Sequence, residues 1–305
     1  MLPIKQLGKT FSCPLCGKGL DRMYRVKAYI GNFQLSIREC LNCELAIQIP
    51  RPSIQEQRDY MNWRYSSTDP LDGYITDVAS KLEICRHRLK WISTFKRPNN
   101  RLLDIGAGNG AFCSSAVQFG YQVCGTELCA KAVSQARKLF GLNLFFGDIK
   151  SLPNHPLYGL VTLWDVIEHL RDPLVMLQEA FARMTQHGLI VIHTGNYSSQ
   201  NRLEQGSSWP LYLFDHLFYF SPKSIEILVR RAGFSDFQIH RLPPLESTIM
   251  RAIIKRKAMR MLLNPVNGLQ WVRKRVITEF RKKRCIHNES DFWDFDELLV
   301  TARKA

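Results

Sequence analysis

Residues 101–112, RLLDIGAGNGAF, decide the fold. A short apolar run ends in an acid, Asp104, and three glycines follow at alternate positions, Gly106, Gly108 and Gly110. Such a run reads as a buried strand. The glycines let the backbone turn tightly and let a ligand approach the main chain. A helix is predicted over 110–119, stopped by Gly120.

The same unit repeats downstream. YQVCGTE (121–127) is a second strand, followed by a helix over 129–140. LNLFFGD (142–148) and GLVTLWD (159–165) are the third and fourth strands. Asp172 caps the next helix, with Pro173 in its first turn. LIVIHTG (189–195) is strand five, Ser221-Pro222 opens a helix that stops at Gly233, FQIH (237–240) is strand six and ELLVTAR (297–303) strand seven. This alternation predicts an α/β fold with a parallel sheet covered by helices on both faces. Ligands of such sheets sit beyond the carboxyl ends of the strands. Asp104, Glu127, Asp148 and Asp165 all fall there.

Gly106, Gly108 and Ala111 also satisfy the dinucleotide pattern G-x-G-x-x-A. A pyrophosphate, however, prefers helix N–H donors with no carboxylate beside them. Asp104, two residues before the first glycine, suits a cationic ligand better.

DIGAGNG (104–110), GTE (125–127), GDI (147–149) and WDVIEHL (164–170), in that order, resemble the class I S-adenosylmethionine-dependent methyltransferases. The resemblance covers about 75–241 and the last strand. It implies a seven-stranded, mostly parallel Rossmann-like sheet. It also implies that Gly106, Gly108 and Gly110 meet the methionine part of the cofactor, with Asp104 near that end. Glu127, beside Leu128, corresponds to the carboxylate on the ribose hydroxyls. Asp148 corresponds to the acceptor of the adenine amino group, with Ile149 beside the ring. Asp165 lies near the sulfonium. Tyr158-Gly159 stands where the family often has Phe-Asp.

WDVIEHLRDP is similar to the subgroup that methylates small molecules, lipids and sugars, in which a histidine here faces the acceptor. His169 is therefore one candidate base, its bland alternative being a residue that orders the loop. His216, within WPLYLFDHLFYFS (209–221), is a second, its alternative being packing among Phe214, Phe218 and Phe220. His187 and His193 read as structural. DVIE replaces the Asp/Asn-Pro-Pro-aromatic motif of nucleic-acid amino methyltransferases, and no Pro-Cys dipeptide exists for cytosine C5 chemistry.

Cys13 and Cys16, then Cys40 and Cys43, form two C-x-x-C pairs with 23 residues between them. Two such turns make a tetrahedral four-sulfur site that suits structural zinc. The intervening residues alternate as a hairpin does. The expected organisation is a zinc ribbon over 1–50, a linker over 51–74, the core over 75–241, a basic helical insertion over 242–294 and the last strand over 295–305. In the linker, Tyr60, Trp63, Tyr65 and Tyr74 either pack or close over the cofactor. A cysteine module ahead of a class I domain resembles the C-methyltransferases of nucleotide-linked deoxysugars. It is also similar to certain ribosomal RNA guanine methyltransferases.

The net charge of +15 is local. Residues 251–286 hold twelve Lys and Arg against Glu279, a net +11. Three readings fit: helices packed on the core, an amphipathic face on an anionic membrane, or an RNA-binding arm. No apolar run approaches the ~20 residues of a membrane span, and the N-terminus lacks a signal-like apolar region. The expectation is a cytoplasmic enzyme, peripheral to the inner face of a membrane where 251–286 engages lipid. Its expected acceptor is a nucleotide sugar or lipid-linked glycan, methylated on oxygen or carbon. RNA methylation is the alternative, and the sequence leaves the oligomeric state open.

Overall fold

In the computed structural model the described residues are 6–7, 10–67, 78–153, 157–242 and 296–305. The basic segment 251–286, Tyr74 and most of the predicted insertion lie outside them.

The elements follow the sequence pattern closely. Strands β1 (Gln6–Leu7), β2 (Thr10–Phe11), β3 (Arg22–Lys27), β4 (Gln34–Glu39) and β5 (Ala46–Gln48) come first. Helices α1 (Ile54–Arg64) and α2 (Val78–Ile92) lead into the core. There β6 (Arg101–Ile105), α3 (Ala111–Gln118), β7 (Gln122–Glu127), α4 (Ala130–Phe140), β8 (Phe145–Phe146) and β9 (Tyr158–Trp164) alternate. A 3-10 turn, Ile167–His169, precedes α5 (Pro173–Ala182) and β10 (Met184–Gly195). Then come α6 (Gln200–Gln205), β11 (Phe218–Tyr219), α7 (Pro222–Arg231), β12 (Phe234–His240) and β13 (Glu297–Lys304).

Seven strands form one sheet in the order β8-β7-β6-β9-β10-β13-β12. The pairings from β8 to β10 are parallel, while β13 runs antiparallel to both β10 and β12. The order reverses at β6/β9, so the crevice beyond these two strands is the natural ligand position. Leu102, Leu103, Leu160, Val161, Leu163, Ile190 and Ile192 are fully buried between the helical layers. Asp172 caps α5 by accepting from the Val175 N–H at 3.2 Å, with Pro173 at the first helical position, as the sequence predicted. Gly159 is fixed by packing, since a Cβ there would lie 2.6 Å from the Asn99 carbonyl.

The predicted N-terminal hairpin is β3–β4, paired Arg22↔Glu39 to Lys27↔Gln34. Its sheet does not stop at the module. The order is β11-β5-β4-β3, so a strand from beyond β10 completes it. Val26, Leu35, Ile37 and Ala46 pack against Tyr197, Trp209, Tyr212 and Tyr219 of the core. Among the described residues no helix is long and apolar enough to cross a membrane.

Candidate active site

The first half of the site is built from strand ends. After β6 the chain passes through Gly106 and Gly108 at φ +70° and +55°. A Cβ on Gly106 would lie 2.6 Å from Val166, and one on Gly108 3.0 Å from the Tyr65 hydroxyl. The loop thus runs between the exit of β9 and the residue that follows α1, where only glycine fits without strain. Gly110 begins α3 as its left-handed N-cap.

Asp104 lies beneath this loop, 2% exposed. Its Oδ1 accepts from the Thr162 hydroxyl at 2.7 Å and its Oδ2 from the Cys113 thiol at 3.4 Å. Burial pushes its carboxyl up to about 7, against the pull of those two donors. Glu127 ends β7. Its Oε2 accepts from the Gly108 amide at 2.7 Å and its Oε1 from the Cys129 amide at 2.8 Å. Burial raises its pKa while these amides oppose the rise. Each oxygen keeps a lone pair for a further donor. Leu128, beside it, is 57% exposed. Asp148 is half-buried, and its Oδ1 accepts from the Ser151 amide (2.9 Å) and hydroxyl (2.7 Å), which holds its carboxyl below the ordinary range. Ile149 is fully buried at its side.

Asp165 sits in the left-handed region at φ +57°. Its Oδ1 lies 2.7 Å from His193 Nδ1, and Arg88 lies 4.0 Å from its Oδ2 while stacking on Trp164. His193 Nε2 is 3.3 Å from Glu297 on β13. Burial alone would favour the neutral imidazole, but Asp165 and Glu297 outweigh it and push His193 up to about 10. In return the His193 cation overcomes the desolvation of Asp165 and keeps it ionised. The partner of Asp165 is therefore a histidine that pattern alone assigned to the core.

The second half gathers around the 3-10 turn. His169 Nδ1 is 3.0 Å from the Asp215 carbonyl and 3.4 Å from its Oδ2. The His169 and His216 rings meet edge to face at 4.7 Å. One ligand atom each from Glu168, His169 and His216 falls within 4.8 Å of the others. Glu168 accepts from Thr194 at 2.9 Å, and burial pushes it up to about 7. Burial, reinforced by His169, pushes His216 down to about 3. For His169 burial favours the neutral ring, but Asp215 and Glu168 prevail and raise it.

The N-terminal residues reach this half directly. Gln57 Nε2 donates to the His169 carbonyl at 3.3 Å, and Arg171 donates to Gln57 and to the Pro52 carbonyl. The buried Gln48 amide, with its nitrogen facing two carbonyls, donates to Phe214 (3.2 Å) and His216 (2.8 Å). Phe33 and Tyr60 pack on Phe214 at 4.3 and 5.2 Å. Of the linker aromatics, Tyr60 and Trp63 pack on each other (5.4 Å), while Tyr65 reaches the glycine loop. Sequence reasoning missed Asp215, Gln48 and Gln57. Only the Asp215-His216 dipeptide offered a signal.

The four cysteines converge as their spacing predicted. Cys13 and Cys43 sulfurs are 3.5 Å apart, as are those of Cys16 and Cys40, and all four lie within 4.8 Å of one another. Zinc–sulfur bonds of about 2.3 Å at tetrahedral angles separate sulfurs by roughly 3.8 Å, so this cluster fits the ion. A disulfide needs about 2.05 Å and is excluded at these distances.

The reversed sheet order, the glycine loop and the strand-end carboxylates define a class I S-adenosylmethionine-binding domain. Residues 78–239 match the model of a methyltransferase domain family, so the chain belongs to that family and is an S-adenosylmethionine-dependent methyltransferase. The ubiquinone biosynthesis O-methyltransferase of Bordetella avium is 26% identical over 165 residues, 48% of this chain and 67% of that protein. Its counterpart from Thiobacillus denitrificans is 24% identical over 167 residues, 50% of this chain and 72% of the relative. Among solved structures, phosphoethanolamine N-methyltransferase 2 of Haemonchus contortus, bound to phosphomonomethylethanolamine and S-adenosylhomocysteine, superposes with a TM-score of 0.54 at 15% identity. That match covers 93% of this chain and 68% of the other, and it shows a shared fold.

Proposed function

We propose that the chain methylates oxygen or carbon of a small-molecule acceptor, a nucleotide sugar or lipid-linked glycan, at the half of the site formed by His169 and His216. S-adenosylmethionine supplies an electrophilic methyl on a sulfonium. Gly106, Gly108 and Gly110 shape the backbone at the methionine end, above the buried Asp104. Glu127, with Leu128 beside it, receives the ribose hydroxyls, and Asp148 with Ile149 receives the adenine. Asp165, fixed by His193, places a carboxylate near the positive sulfur.

The observation that carries the acceptor reading is the imidazole pair beside the end of β9. The two rings meet edge to face at 4.7 Å beside buried Glu168, and His169, the more exposed of them, supplies a proton acceptor. Oxygen and carbon nucleophiles need such a base more than amines do. Relatives named O-methyltransferases favour a hydroxyl acceptor. The four-cysteine module, which we read as a structural zinc site, walls this half through Gln48 and Phe33, and that favours a sugar-sized acceptor held between module and core.

The segment 251–286, net +11, suits an anionic membrane surface and with it a cytoplasmic protein at the inner face. The test is acceptor partitioning. Purified protein is given methyl-labelled S-adenosylmethionine and a lysate of its source, and the products are separated. Label in the lipid or soluble sugar fraction is expected. Label confined to RNA would overturn the reading and make the module and 251–286 the substrate surface.

A further inference from the structure

We infer that Asp215 is the positioning residue for His169, turning its ring so that Nε2 is the lone pair offered to the acceptor and His169, not His216, takes the acceptor's proton. The inference rests on the methyl-transfer reading above.

Three observations support it. First, His169 Nδ1 faces two acceptors of one residue, the Asp215 carbonyl at 3.0 Å and Oδ2 at 3.4 Å. Nδ1 therefore carries the proton, and the neutral ring keeps its lone pair on Nε2. Second, the two rings differ in access. The His169 side chain is 25% exposed, whereas His216 is 6% exposed, edge-on to His169 and beside the Leu211 carbonyl. His216 is thus a neutral wall.

Third, Asp215 is itself held in place. It is 5% exposed, and the carbonyls on either side of it, Phe214 and His216, are bound by Gln48. The Leu217 amide donates to the Glu168 carbonyl at 2.8 Å, which ties this loop to the turn carrying His169. An orienting carboxylate acts only if its backbone does not yield. The charged or titratable groups facing His169 are Glu168 on its own turn, Asp165 at the end of β9, Asp215 and His216 on the loop, and Glu127 at the end of β7.

The step balances without a further reagent. The acceptor's electron pair forms the new bond to methyl, the methyl–sulfur bond breaks with its pair left on sulfur, and the proton ends on His169 Nε2. His169 then returns it to solvent through its exposed edge.

The experiment is nitrogen-15 imidazole NMR of the full chain saturated with S-adenosylmethionine, comparing the wild type with Asp215→Asn and Asp215→Glu. The wild-type His169 ring should show the Nδ1–H tautomer. Asp215→Asn should lower its pKa by about one pH unit, as loss of an opposite charge at this range does, and Asp215→Glu should restore it in part. In the transfer assay, with the acceptor fraction found by labelling, Asp215→Asn should lower kcat by about 10- to 100-fold with little change in KM. The acid limb of its profile should move to lower pH. His169→Gln should abolish that limb, and His216→Gln should leave it in place. An unchanged His169 titration in Asp215→Asn, or an acid limb lost in His216→Gln, would sink the inference. The ring titration needs no acceptor, so a wrong acceptor class and a wrong positioning residue give different results.

Discussion

The two halves of the site are made differently. The carboxylates of the proposed cofactor half come from one run of chain, residues 104–165, each at or just past the end of a strand in a single parallel ladder. The proposed acceptor half is assembled from three remote pieces: the turn Ile167–His169, the segment around Asp215 and His216, and N-terminal residues such as Phe33, Gln48 and Gln57. The first half draws its rigidity from sheet hydrogen bonds that any fold of this class makes. The second depends on a small module docking through β11 and β5. It follows that each half should be breakable with little effect on the other.

The largest expected effect comes from the cysteines. On the proposed structural-zinc reading, chelation or Cys43→Ser takes away folding free energy that a sheet as small as β3–β5 has few other sources for. Methyl transfer should fall to background, while affinity for S-adenosylmethionine by calorimetry stays within about threefold. Metal content measured in parallel should be one zinc per chain before treatment. Loss of cofactor affinity together with activity would show the halves to be one cooperative unit. Purified protein without zinc but with full activity would remove the metal from the reading altogether.

Glu127→Ala tests the other half. It deletes a carboxylate that already orders the Gly108 and Cys129 amides. Cofactor affinity should fall by about 10- to 100-fold, the range for losing hydrogen bonds to a charged group. The ring titration of His169 should persist. Unchanged cofactor affinity would remove Glu127 from the ribose.

The same contrast explains what the sequence made legible. Glycine spacing, strand-end acids and the Asp172–Pro173 helix start are local signals, and the structure contains them nearly as predicted. Edges blurred where packing overrides pattern. LNLFFGD pairs only through Phe145–Phe146 at the sheet edge, while β10 begins five residues early and carries an irregularity between Met184 and Leu189. β11 is two residues long, too short for any periodicity, yet it joins module to core. Asp215 escaped notice because its partner His169 is 46 residues away, and the Asp215-His216 dipeptide, the one local signal, does not announce that pairing. His193 read as core and is buried, yet its ring meets Asp165, 28 residues back.

The His193 pair gives a smaller, pH-readable effect. Its folded pKa, pushed up to about 10, lies above the ordinary value near 6.5. The stabilisation it provides is therefore complete below about pH 6.5 and is lost as pH rises through about 10. Both partner carboxylates are more than half exposed, so water screens the pair. His193→Gln should cost on the order of 2 kcal/mol at pH 6, below the usual penalty for breaking a fully buried pair. Urea midpoints taken from pH 6 to 10 should decline for the wild type and stay nearly level for the variant. Parallel declines would show that His193 is not the group titrating.

The smallest effect lies at the start of α1. Ser53 Oγ accepts from the Glu56 amide at 3.1 Å, and Glu56 Oε2 accepts from the Ser53 amide at 2.7 Å, a reciprocal capping box. The first turn it secures carries Gln57, which bonds the His169 carbonyl, and the next turn carries Tyr60, which packs on Phe214. Losing a serine cap costs a helix on the order of 1 kcal/mol, and in a chain of this size the melting temperature should move by only about 2 °C. Fraying of that turn nonetheless loosens one wall of the acceptor half. Ser53→Ala should raise KM for the acceptor by about threefold, with S-adenosylmethionine affinity unchanged, because no cofactor-half carboxylate hangs on Gln57. Ser53→Asp, which can also cap, should return KM to the wild-type value. An acceptor KM that ignores the cap would mean that α1 merely covers the core. A cofactor affinity that follows the cap would carry its influence on through Tyr65 to the glycine loop, and the line between the two halves would have to be redrawn there.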